Sequence, residues 1–177
     1  GTATSGATIA ISGGSIAGKV NGILFPGDVD AATTVAISGV AVTSTTEEVF
    51  RVTGNMLGSV TFTGGSLTTP SPTGAGAYFF GIVSGPLVFD GTAINSYHNP
   101  LNMVALQASL TLNNVAFTSS NAGNGVKFGT GMAGATVRIT GGSFDGYGNG
   151  LWFPGGIDAA TSVTIGGAVA VDARTSG

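Results

Sequence analysis

Cysteine is missing from this 177-residue sequence, which excludes a disulfide scaffold and any thiolate metal site. Histidine occurs once, as His98, so no pair of imidazoles exists to hold a metal. Charge is scarce: five Lys/Arg and eight Asp/Glu make 7% of the chain, for a net charge of −3. An ordinary globular domain carries roughly 25%. Five dispersed cations leave no basic footprint for nucleic acid or an anionic lipid surface. No run of 18 apolar residues occurs, so no membrane insertion by a helix is expected. Neither a signal peptide nor an initiating methionine opens the chain at Gly1, so a segment of a longer chain or a filament subunit is expected. Glycosylation sequons of the Asn-x-Ser/Thr type are also missing.

What is present is glycine, 32 of 177 residues, more than double the usual share of about 7%. Apolar residues nevertheless reach 42%, too many for a disordered Gly-rich linker. The remainder is dominated by Thr, Ser, Ala and Val, which suit short strands and tight turns better than helices. One stretch is said twice. Ile11 to Ile37 reads ISGGSIAGKVNGILFPGDVDAATTVAI, and Ile139 to Ile165 reads ITGGSFDGYGNGLWFPGGIDAATSVTI, identical at sixteen of 27 positions at an offset of 128 residues.

That doublet belongs to a finer repeat. An apolar-x-apolar triad begins at Ile9, Val35, Val60, Leu87, Leu110, Val137 and Val163, at spacings of 26, 25, 27, 23, 27 and 26 residues. Its outer members alternate with Ala10, Ala36, Thr61, Val88, Thr111, Arg138 and Thr164, the period of a strand with one buried face. Five residues past each triad comes another inward apolar position: Ile16, Val42, Leu67, Ile94, Phe117, Phe144 and Ala170. Between the two strands lies a two-residue corner whose second member is Gly13, Gly39, Gly64, Gly91, Asn114, Gly141 or Gly167. Six glycines and one asparagine in one register mark a backbone site with positive φ. A third strand precedes each triad, read as Ile23-Leu24-Phe25, Phe50-Arg51-Val52, Tyr78-Phe79-Phe80, Met103-Val104-Ala105, Val126-Lys127-Phe128 and Leu151-Trp152-Phe153.

Three short strands per coil, each stacked parallel on its counterpart, predict an all-β, three-sided parallel β-helix of about seven rungs of ~26 residues. At ~4.8 Å per rung the rod is about 34 Å long. Right-handed winding follows from the preference of parallel connections. One β-solenoid domain over 1–177 is expected, with coils from about 9 to 171 and polar tails at 1–6 and 172–177.

These ψ-x-ψ-x-G-x-x-ψ coils resemble the right-handed parallel β-helix, or pectin-lyase-like, superfamily. That fold is shared by polysaccharide lyases and hydrolases, phage tailspikes and the passenger regions of bacterial adhesins and autotransporters. A polysaccharide-cleaving member would imply acids clustered on one sheet across adjacent rungs, or a calcium site beside an Arg base. The acids here are Asp28, Asp30, Glu47, Glu48, Asp90, Asp145, Asp158 and Asp172. Asp30 and Asp158 occupy equivalent positions five rungs apart, about 24 Å, whereas two carboxylates acting on one glycosidic bond stand about 5–9.5 Å apart. Asp90 precedes Gly91 as a turn former, Glu47 and Glu48 lie near Arg51 as a solvated group, and Asp30-Ala-Ala-Thr33 reads as a turn cap. No catalytic residue, metal site or cofactor is expected.

The outward columns offer a surface instead. One reads Leu24, Arg51, Phe79, Val104, Lys127, Trp152; a second, Ser15, Ala41, Ser66, Ala93, Ala116, Ser143, Val169, is small at every rung. The residues expected to form a binding or packing surface are Leu24, Arg51, Phe79, Lys127, Trp152 and Tyr147. A threonine-lined ice-binding face is interrupted by Val88 and Arg138. The composite expectation is a non-enzymatic, extracellular module on a bacterial cell surface: a fibre or adhesin stalk whose partner is itself, through stacking ends or continuing coils. The alternative is a polysaccharide-active or glycan-binding β-helix.

Overall fold

The computed structural model describes residues 4–129 and 131–174. Its described residues form strands, turns and bends with no helix, wound as a parallel β-solenoid. The seven triads stack in register as Thr8–Ser12, Thr34–Ser38, Ser59–Thr63, Leu87–Asp90 and the leading halves of Ser109–Ser119, Thr136–Gly146 and Ser162–Ala173. Ile9 pairs with Val35, Val35 with Val60, Val60 with Leu87, Leu87 with Leu110, and so on to Val163. Every pairing is parallel, because each strand meets only its counterpart one coil away.

The corner passes this face into the next without breaking the sheet: Ser109–Ser119, Thr136–Gly146 and Ser162–Ala173 each run through it as one strand. The corner residues Gly13, Gly39, Gly64, Gly91, Gly141 and Gly167 have φ of 65°, 61°, 61°, 63°, 71° and 74°. Asn114, at 48°, is the single non-glycine with positive φ among the described residues. A Cβ disfavours this left-handed region, and asparagine tolerates it because its amide bonds locally.

Inside, the columns are aromatic. Phe62 stacks on Phe89 with centroids 4.8 Å apart, and Phe89 meets Phe117 edge-on at 5.7 Å, as Phe117 meets Phe144. Phe128 stacks on Phe153 at 4.1 Å. Each buried ring contributes about 1.5–3 kcal/mol by leaving water, and well-oriented ring pairs add roughly 0.5–1.5 kcal/mol. The aromatic columns therefore hold together with no charge inside them.

The structure corrects the sequence reading at three places. In the third strand the partners of Phe50, Arg51 and Val52 are Ala77, Tyr78 and Phe79. Phe79 is therefore inward, 1% exposed, rather than part of the outer surface. Leu101, Asn102 and Met103 continue these positions, so Asn102 and not Val104 lies in the outer column, and a bulge follows Met103. In the last coil an irregularity at the corner puts Val169 opposite Gly142, Ala170 opposite Ser143 and Val171 opposite Phe144, so Val171 is inward and Ala170 outward.

A fourth column also joins the coils. Thr4 bridges Val29, Val29 bridges Met56, and Met56 bridges Val83; Val83 then pairs with Leu106, Leu106 with Met132 and Met132 with Ile157. Pairing thus extends from Thr4 to Ala173, beyond the 9–171 read from the sequence. Of the tails, residues 1–3 and 175–177 lie outside the described residues.

The Asp-Ala-Ala-Thr turns staple coil to coil. Asp30 accepts from Gly6 N at 3.1 Å and from Thr33 Oγ1 at 2.9 Å. Asp158 repeats this with Gly134 N at 3.2 Å and Thr161 Oγ1 at 2.6 Å. The Ser5 hydroxyl, then the Gly6 N–H and Thr33, take the Asp30 pKa from 3.8 to about 2. The Thr161 hydroxyl and then the Gly134 N–H lower that of Asp158. A carboxylate whose folded pKa is depressed stabilises the fold above its unfolded value, and that contribution disappears as pH falls through the folded one. Thermal scans are therefore expected to show a melting temperature that declines between about pH 4 and pH 2; a flat profile there would remove the staples' role.

Candidate binding surface

The third face presents one side chain per coil to solvent: Leu24, Arg51, Tyr78, Asn102, Lys127 and Trp152, in that order. Alternation puts these residues outward, because their neighbours Phe25, Phe50, Val52, Phe79, Met103 and Val126 are buried. Of the residues expected from sequence, Leu24, Arg51, Lys127 and Trp152 share this column. Phe79 does not. Tyr147 sits half-buried in the bend after Thr136–Gly146, outside the column.

Near the first coils the face is locked. Arg51 Nη1 binds Glu47 Oε2 at 2.8 Å and Glu48 Oε2 at 3.1 Å, and its guanidinium lies 4.6 Å from the centre of the Phe80 ring. Phe80 stacks on Tyr78 at 3.9 Å. Glu48 is buried, and Asn21 Nδ2 donates to its carbonyl at 3.2 Å. Burial pushes the Tyr78 phenol up, with the Glu48 charge adding to it. This cation is spent on its own carboxylates.

Further along, the face is open. Lys127 Nζ stands 5.2 Å from the Trp152 ring centre and makes no ion pair among the described residues. A small hollow of about 90 Å³ lies between Tyr78, Asn102, Met103, Val104, Lys127 and Gly129. An amide, an ammonium and two flanking aromatic rings can hydrogen-bond hydroxyls and stack on an apolar ring face. Tyr78, Phe80 and Asn102 were missed in the sequence; alternation counted from Ala77 instead of Tyr78, and from Leu101 instead of Met103, would have found them.

Other polar groups are mostly consumed by the coils. Asp28 Oδ1 accepts from Asn55 N at 2.6 Å, Asp90 Oδ1 from Asn113 Nδ2 at 2.7 Å, and Asp145 Oδ1 from Arg174 Nε at 2.7 Å. Asn99, Asn124 and Asn149 form a ladder: Asn99 Oδ1 accepts from Asn124 Nδ2 at 3.1 Å, and Asn124 Oδ1 from Asn149 Nδ2 at 2.7 Å. His98 Nδ1 lies 3.0 Å from Asn99 Nδ2. A shallow open depression of about 320 Å³ crosses Val88, Asp90, Thr111, Asn113, Arg138 and Thr140. Among the described residues no group of three His, Cys, Asp or Glu side chains is placed to hold a metal. No protein-family model, no curated protein and no solved structure matches the chain.

Proposed function

We propose that this protein is a non-enzymatic structural module of an extracellular, bacterial surface fibre or adhesin stalk, and that its solenoid is right-handed and of the pectin-lyase-like kind. The rod grows by laying coil on coil, and its partner is more of itself. The observation that carries the reading is the continuity of the inward columns. They run in register from Ile9 to Val163 and from Ile16 to Val171 without a break in any coil. The sides of the rod suit packing in a bundle, since Ser15, Ala41, Ser66, Ala93, Ala116, Ser143 and Ala170 make one flat row of small side chains. Electron microscopy and sedimentation velocity of the purified protein are expected to reveal rods that lengthen with concentration; a monodisperse short particle at every concentration would sink assembly from separate subunits.

A second reading is favoured by the hollow at Tyr78, Asn102 and Lys127, whose ammonium stands 5.2 Å from the Trp152 ring centre: the open part of the third face contacts a glycan. Trp152 is the one tryptophan of the chain, so its emission reports directly on that surface. Neutral oligosaccharides are expected to shift it, and Lys127→Ala to weaken the titration without changing the melting temperature. Saccharide-independent emission would remove this reading.

A further inference from the structure

Solvent meets large apolar side chains along the third face. Leu24, Phe80 and Val104 are 45%, 38% and 40% exposed, and Trp152 points outward in the row that Leu24 begins. Apolar side chains gathered on one face mark an interaction surface. The row also has an order. It reads Leu24, Arg51, Tyr78, Asn102, Lys127, Trp152, one residue per coil, and its midpoint falls between Tyr78 and Asn102.

About that midpoint the row is complementary to its own reverse. Leu24 and Trp152 are an apolar outer pair. Tyr78 and Asn102 are an inner pair, a phenol and an amide able to hydrogen-bond. The pair between them is electrostatic. Glu47 and Glu48 hold Arg51 at 2.8 Å and 3.1 Å, and two carboxylates around one guanidinium leave that coil net negative. Three coils on, Lys127 makes no ion pair among the described residues. Glu47 keeps 43% of its side chain exposed, so it can take a second cation. Beside the row, Phe80 and Val104 hold the next exposed position on either side of the same midpoint.

We propose that the third face is the interface of a two-fold pair, in which a second copy of this chain lies antiparallel against the first. The axis runs along the strand direction between Tyr78 and Asn102, so the coils of one copy meet those of the other in reverse order. Leu24 then packs on Trp152 of the second copy, Tyr78 on its Asn102 and Phe80 on its Val104, while Lys127 reaches its Glu47. A parallel pair would set Lys127 against Lys127, which like charge disfavours. Six coils by about four residues cover roughly 29 Å by 13 Å, on the order of 400 Å² a side. That is the small, transient class of interface, so the pair is weak and reversible. Pairing side by side does not depend on growth coil on coil. It closes over the hollow at Asn102, so a saccharide held there competes with the second copy.

Sedimentation equilibrium of the intact chain, from about 1 μM to about 1 mM, tests the pair. Lys127→Glu and Glu47→Lys, each alone, are expected to weaken pairing about tenfold or more, because like charges then face each other at both ends of the interface. At the highest concentration the mass of the original chain is expected to exceed that of Lys127→Glu by a factor approaching two, whatever end-to-end growth both share. Mixed in equal amounts, the two variants are expected to pair with each other as tightly as the original chain does, since every charge regains its opposite. Glu48 still holds Arg51 in Glu47→Lys, and unchanged melting temperatures confirm that both variants fold. Leu24→Asp, at an exposed position, is expected to abolish pairing as well. A mass equal to that of Lys127→Glu at every concentration, or a mixture no tighter than its components, overturns the inference. Pairing restored in the mixture, from a chain that forms no long filaments, keeps the interface and removes only the fibre reading.

Discussion

Replacing Phe89 by alanine is expected to destabilise the protein by about 3–5 kcal/mol, the range for deleting a fully buried ring. Phe89 is completely enclosed, face to face with Phe62 at 4.8 Å and 2° on one side and edge-on to Phe117 at 5.7 Å and 90° on the other. Removing it deletes both contacts and leaves a hole in the middle of the aromatic column. The coils above and below cannot close over that hole, because parallel backbone pairing on both flanks holds them at fixed spacing. Urea denaturation measures the loss. Phe153→Ala serves as the internal reference: that ring lies in the last coil of its column, stacked on Phe128 and only partly buried, so its removal is expected to cost less. Equal effects at the two sites would mean that the column is not packed as described.

The corner supplies the second large effect. Gly91→Val is expected to cost about 2 kcal/mol or more, since a left-handed backbone costs an ordinary L-residue roughly 1–2 kcal/mol and β-branching aggravates it. Gly91 has φ of 63°, and nothing but the Gly64 backbone approaches its missing Cβ, at 4.0 Å. Space is available, so any penalty is conformational. Gly91→Asn therefore separates the two causes, because Asn114 already occupies the equivalent position one coil later with φ of 48°. The asparagine variant is expected to lose well under half of what the valine variant loses, as read from paired denaturation curves. Equal losses would point to a steric cause and against the backbone argument.

Legibility in the sequence followed the strength of local alternation. The triads were unambiguous because large aliphatic residues flank a small or polar one in nearly every copy, as at Val35-Ala36-Ile37. The third strand was harder. In Ala77-Tyr78-Phe79-Phe80 three aromatic residues follow one another, so two opposite frames look equally apolar, and the inward position of Ala77 is disguised by its size. The neighbouring coil settles the frame, since Phe50 and Val52 demand inward partners at Ala77 and Phe79. The column of Val29, Met56, Val83, Leu106, Met132 and Ile157 was invisible for another reason. Most of its members are single bridging residues or two-residue strands, too short to show any period. In the last coil the irregularity at Gly166–Val169 moved Val171 inward, a shift that spacing counted from the triad alone does not register.

The candidate surface divides in the same way. Leu24, Arg51, Lys127 and Trp152 could be placed on one outward column from strand alternation, but their partners could not. That Glu47 and Glu48 neutralise Arg51 while Lys127 stays open beside Trp152 depends on loop geometry between strands, which no repeat dictates.

Sequence alone determined the coil: its length of some two dozen residues, its alternating faces and its pivot, because these rest on local sterics and on a period each segment carries within itself. Tertiary structure alone decided the frame of the third strand, the fourth bridging column and which ionic groups on the surface remain available. Those features arise between coils, where a side chain's orientation is chosen by the neighbour it must pack against.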